Sequence, residues 1–146
     1  MKVKAEIVSG YGVASGKSGD ARFPMGTIQM QFKYFLNQGL DLSSYYMGTL
    51  NVDIAPSHFE IKKPKYFFEN INWSKDLPPE NFYFFDVLIL INEHVYEGLI
   101  YMPDPMTKVE HEQKSTVLEL ILPKIENLIC GQSIYIQVKE DQIAIK

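Results

Sequence analysis

The stretch Phe82-Tyr83-Phe84-Phe85-Asp86-Val87-Leu88-Ile89-Leu90-Ile91 is nearly all apolar, and Asn92-Glu93-His94 follows it directly. An apolar run of this length is expected of a strand covered on both faces. The triplet then reads as a hairpin turn into a second strand over residues 95–101, which Pro103, Asp104 and Pro105 bring to an end. A polar loop through Lys114 comes next.

Outward from this hairpin, the chain continues as short elements at close spacing. Val3, Ala5 and Ile7 alternate with Lys2, Lys4 and Glu6, predicting a first strand. A glycine-rich stretch over residues 10–23 follows. Ile28, Phe32, Phe35 and Leu36 then recur at helical spacing, with Gly39 as the stop. Residues 48–54 alternate as a strand, and Tyr66-Phe67-Phe68 predicts a shorter one inside a proline-bearing segment.

Residues 117–122 predict a further strand on length and β-branched content. Pro123 can open a short helix that presents Ile125, Leu128 and Ile129 on one face, with Gly131 as its cap. Residues 133–138 and 143–145 predict a final hairpin around Glu140-Asp141. Many short strands with one or two short helices point to a mainly β fold, a compact barrel, and not a βαβ layer.

At 146 residues the chain, 1–146, is expected to form a single domain with a real core. The hydrophobic fraction of 46% and charged fraction of 22% are those of a soluble globule. A net charge of −4 argues against a general nucleic-acid binder but is compatible with a nucleotide held in a locally positive pocket. No signal-peptide core and no membrane-length apolar run occur, so no membrane partner and a cytoplasmic location are expected. Cys130 is the single cysteine; its Leu128-Ile129-Cys130 setting predicts a small buried side chain.

The segment Tyr46-Met47-Gly48-Thr49-Leu50-Asn51-Val52-Asp53-Ile54 carries the chemistry most worth weighing. As a strand it sends Leu50, Val52 and Ile54 to one face, and Thr49, Asn51 and Asp53 to the other. That second face is a ladder of hard oxygen donors, of the kind Mg²⁺ accepts when phosphate and water fill its other positions. An ordinary half-buried strand with a solvated polar face has the same alternation.

Gly16-Lys17-Ser18 resembles the end of a P-loop, but the spacing would need glycine where Tyr11 stands, and no helix begins there. The loop can still bind phosphate through backbone N–H groups, with Lys17 and Arg22 adding charge; a plain turn is the alternative. His58, His94 and His111 are too scattered for a helical metal pair. Glu119 is a lone carboxylate within Val117-Leu118-Glu119-Leu120-Ile121-Leu122, as an outward-facing strand residue would be.

In order, these pieces resemble the CTP-dependent riboflavin kinases of archaea. The likeness rests on Ser15-Gly16 through Phe23, then Tyr46 through Asn51 with its Gly-Thr-Leu-Asn core. Gly98-Leu99-Ile100-Tyr101-Met102-Pro103, Glu119-Leu120-Ile121-Leu122-Pro123 and Gly131-Gln132 complete it. The resemblance implies a small six-stranded cradle-loop barrel. It implies transfer of the CTP γ-phosphate to the riboflavin 5′-hydroxyl, giving FMN and CDP. By position, Thr49 and Asn51 would hold Mg²⁺; Gly16, Lys17, Ser18, Gly19, Asp20, Ala21, Arg22 and Lys124 would meet the nucleotide; Ser115 and Glu119 would meet the flavin.

The chain departs from the pattern in two places. Lys17, Ser18 and Asp20 separate glycines that the family spaces closely, and Ile125-Glu126-Asn127 replaces a basic stretch after Pro123. A non-catalytic module that binds nucleotide or flavin on the same fold is the alternative function.

Overall fold

The computed structural model describes residues 2–9, 27–104 and 115–146 of the chain. Its longest strand, β5 (Glu80–Ile91), pairs with β6 (His94–Pro103) from Phe82 opposite Pro103 to Ile91 opposite His94. The turn between them is Asn92-Glu93, with φ of 48° and 70°. Two consecutive left-handed residues are what a type I′ hairpin requires, because that turn matches the right-handed twist of the strands.

The other edge of β5 is divided. Its first half pairs with β4 (Tyr66–Ile71), while Val87, Leu88, Ile89 and Leu90 pair with β8 (Ser133–Val138). From β6 the ladder runs through β7 (Val117–Ile121), β2 (Leu50–Asp53) and β1 (Val3–Ser9), which returns to β8. β5, β6, β7, β2, β1 and β8 thus close a six-stranded antiparallel barrel. β3 (Phe59–Ile61) and β9 (Ile143–Ile145) form a separate pair. Closure brings β6 and β7 very near each other at Gly98. A Cβ there would lie 2.4 Å from the Ile121 carbonyl oxygen and 2.5 Å from Leu122 Cδ2.

The fold has two cores, one on each face of the barrel wall. Ala5, Ile7, Leu50, Val52, Phe85, Ile89, Ile100, Leu118, Leu120, Ile134 and Ile136 fill the interior. On the outer face, α1 (Thr27–Asn37) lays Ile28, Gln31 and Phe35 over Phe82, Phe84, Leu99, Tyr101 and Ile121. The Phe35 ring stands edge-on to Phe82 and Phe84, 5.1 Å from each. The helix ends as anticipated at Gly39 (φ 100°), where Gly39 N–H donates to the Leu36 carbonyl and Leu40 N–H to the Phe35 carbonyl. This is the Schellman arrangement, completed by the apolar pair Phe35 and Leu40 in one core. β5 is not covered on both faces as expected: in its first half Phe82 and Phe84 are buried under the helix while Asn81 and Tyr83 are half-buried, and in its second half Val87 and Ile89 are buried in the interior while Asp86, Leu88 and Leu90 are half-buried.

Three local expectations are corrected. No helix forms after Pro123: residues 122–132 are turns and bends, with Asn127 at φ 64° and Gly131 at φ 90°. α1 is the single helix among the described residues. Cys130 is exposed and Ile129 is 68% exposed, while Ile125 and Leu128 of the same segment still pack on the barrel core. β9 does not form a hairpin with β8; it pairs with β3, a strand the sequence did not suggest. Among the described residues, no helix is long and apolar enough to cross a membrane.

Candidate functional site

The alternation of β2 sends Leu50 and Val52 inward and Asn51 to the outer face of the barrel. Asn51 stands opposite Glu119 on β7, and Glu119 stands opposite Tyr101 on β6. Thr49, immediately before β2, is 3% exposed and donates its hydroxyl to Glu119 Oε1 at 3.1 Å. A hydroxyl that spends its proton on a carboxylate keeps its oxygen lone pairs for a further partner. The Asn51 side chain makes contacts of its own, and its Oδ1 is buried.

The row continues into the core under α1. Tyr101 is buried and donates its phenol to Gln31 Oε1 at 2.7 Å, tying the helix to β6. Burial, and then the nearby Glu119 and Glu80 carboxylates, push the Tyr101 phenol well above its usual range; the Gln31 hydrogen bond pulls weakly the other way. Glu80 is itself buried and accepts the Trp73 indole N–H at 2.8 Å. Tyr101 and Gln31 were missed from sequence. The available signal was a polar residue, Gln31, on the same helical face as Ile28 and Phe35.

Beside this row lie the residues flanking the barrel strands. Tyr46 N–H donates to the Leu122 carbonyl at 2.9 Å, joining the approach to β2 to the exit from β7. Lys124 Nζ sits 4.3 Å from the centroid of the Tyr46 ring. Lys124 is thus brought beside Tyr46, two residues before Gly48.

Other expected participants stand apart. Asp53, third in the polar alternation, accepts the Thr116 hydroxyl at 2.7 Å and the Ala55 N–H at 2.9 Å, so it serves a turn. Ser115 is exposed in the turn before β7. Gly16, Lys17, Ser18, Gly19, Asp20, Ala21 and Arg22 lie outside the described residues.

Thr49 and Asn51 suit a small hard cation better than a soft one, since their donors are hydroxyl and carboxamide oxygens. Among the described residues no group of three or more His, Cys, Asp or Glu side chains gathers. Neither a family model nor a curated protein matches the chain.

Proposed function

We propose that the chain is a Mg²⁺-dependent phosphotransferase of the riboflavin kinase type, with CTP as the favoured donor and riboflavin as the acceptor. The observation that carries this reading is the gathering of Thr49, Asn51 and Glu119 on one outer row of the barrel, with Lys124 and Tyr46 at its side. Gly-Thr-Leu-Asn and Glu-Leu-Ile-Leu-Pro are far apart in sequence, yet their polar members meet across two hydrogen-bonded strands.

In phosphoryl transfer the protein chiefly positions reactants and offsets charge, so a site without a nucleophilic side chain suffices. The riboflavin 5′-hydroxyl oxygen attacks the γ-phosphorus, its proton passes to water, and the bond from the γ-phosphorus to the bridging oxygen breaks, releasing CDP with that oxygen. Thr49 Oγ1 and Asn51 Oδ1 would hold Mg²⁺, which when bound offsets phosphate charge. Glu119, oriented by the Thr49 hydroxyl, holds the acceptor by accepting a hydrogen bond. Lys124 adds positive charge on the nucleotide side.

The test is to incubate purified protein with riboflavin and Mg²⁺ and each of CTP, ATP, GTP and UTP, and to assay FMN. FMN formed with one donor supports the proposal. No FMN with any donor, and no riboflavin binding by fluorescence quenching, overturns it. Binding without turnover would favour the non-catalytic module, to which Glu126 and Asn127 after Pro123 already lean.

A further inference from the structure

A cleft of about 660 Å³ opens on the outer face where the edge of β5 passes from β4 to β8, and none of its lining belongs to the Thr49–Glu119 row. Its size falls within the roughly 300–1,000 Å³ of small-ligand sites. Tyr45 and Tyr66 line it with Asp86, Lys65, Lys139 and Glu97.

We propose that this cleft is a second small-molecule site, one that takes an uncharged planar ring bearing hydroxyl or amide groups, of the nucleoside class. The tyrosines provide the flat surfaces. Tyr66 is held from behind by Phe68 at 5.7 Å and by the edge of Phe84 at 6.4 Å, so its ring is a fixed platform. Tyr45 packs against the same aromatic core, and burial foremost raises its phenol, which stays a neutral donor and acceptor at ordinary pH.

The charges argue for an uncharged ligand. Asp86 accepts Lys65 Nζ on Oδ1 at 2.9 Å and Gln142 Nε2 on Oδ2 at 2.9 Å, and Lys139 Nζ lies 3.3 Å from Oδ2. Both oxygens are thereby occupied and both ammonium groups have a counter-ion. With Glu97 and Asp41 at the rim, two lysines face three carboxylates, a near balance that selects neither a strong anion nor a strong cation. What the walls still offer is hydrogen bonding from the lysine, tyrosine and glutamate groups around two rings. The site stands on this geometry alone and does not depend on the kinase reading.

Cytidine, titrated into ¹⁵N-labelled full-length protein with cytidine 5′-monophosphate as the charged counterpart, tests the proposal. Saturable amide shifts at Tyr45, Tyr66 and Leu99 are expected, with affinity falling about tenfold in Tyr66→Ala through loss of stacking. Glu97→Gln, an exposed change that leaves the aromatic core alone, should weaken binding about threefold through one altered hydrogen bond and serves as the second variant. No saturable shift up to about 10 mM overturns the site, since weaker association would not be specific. Shifts confined to the neighbourhood of Asn51 and Lys124 overturn it too. Tenfold tighter binding of the monophosphate overturns the uncharged class.

Discussion

Thr49 and Glu119, 70 positions apart in sequence, are joined by a hydrogen bond of 3.1 Å on the outer face of the barrel. β2 and β7 are antiparallel neighbours, and their register sets Asn51 against Glu119 and Leu50 against Leu120. The interior pair packs the core while the exterior pair carries the polar groups. A slip of one residue would exchange the two roles, so the apolar interior is what holds the polar site in register.

Removing the proposed ion ligands should separate binding from folding. Thr49→Ala combined with Asn51→Ala is expected to abolish the Mg²⁺-dependent part of nucleotide affinity in calorimetric titration, with the far-UV spectrum unchanged. The stability loss should be about 1–3 kcal/mol, because buried hydrogen-bonding groups are removed or left with fewer partners. Equal nucleotide affinity with Mg²⁺ in the double variant and the wild type would refute the ion assignment.

The charges of the glycine-rich loop should act on the nucleotide and not on the flavin. Lys17→Ala and Arg22→Ala are expected to weaken triphosphate binding more than riboflavin binding, and the difference should shrink with salt, since charge–charge attraction is screened over about 8 Å at physiological ionic strength. Comparable losses for both ligands would indicate a folding defect instead.

Tyr101 should leave a signature at high pH. Its raised phenol binds a proton more tightly in the folded chain than in the unfolded one, so its contribution is complete below about pH 10 and is lost as pH rises above it. Tyr45 and Tyr83, also raised chiefly by burial, act in the same direction. Tyr101→Phe should flatten the alkaline fall in stability measured by urea unfolding. At pH 7 it should cost about 1–3 kcal/mol, since Gln31 Oε1 loses its buried donor. An unchanged alkaline limb would show that Tyr101 does not carry it.

Asp86 should govern the acid side. Burial raises its carboxyl, but hydrogen bonds from Lys65 and Gln142 and the lysine charge outweigh that and bring it below the ordinary aspartate value. A lowered carboxyl contributes stability above the unfolded value near pH 4, and that contribution disappears as pH falls further. The group is partly exposed, so Asp86→Asn should cost only about 1 kcal/mol at neutral pH, less in high salt. A loss that does not vary with pH would point to the Gln142 contacts alone.

Gly98→Ala should be more damaging than any of these. The added methyl would meet the Ile121 carbonyl, and backbone on both sides of the barrel closure cannot yield cheaply. A loss of about 3 kcal/mol or more is expected in denaturant unfolding, at the upper end of overpacking costs. A change under about 0.5 kcal/mol, as at an ordinary surface site, would show that the barrel can open there at little expense.

Much of this architecture was legible in the linear chain because its signals are local. The Phe82-to-Ile91 run marks a strand by its length and apolar content, and the alternation around Leu50 and Val52 and the spacing of Ile28 and Phe35 each report the period of one element and the face it buries. The Asn92-Glu93 turn and the Gly39 stop are local as well, since each answers a backbone conformation that few residues adopt.

Three features depended on the assembled chain. The segment after Pro123 carries a helical pattern, yet residues 122–132 run as turns, and helix propensity over so short a stretch is too weak to resist its tertiary surroundings. Ile143 and Ala144 became buried by pairing β9 with β3, since partner choice between distant strands leaves no mark on either one. The Gln31–Tyr101 hydrogen bond likewise needed the helix laid across β6 before either polar group had a reason to be buried. The chain alone determined which residues seek the interior; only the closed barrel decided which polar residues would meet on its outside, because that depends on register between strands far apart in sequence.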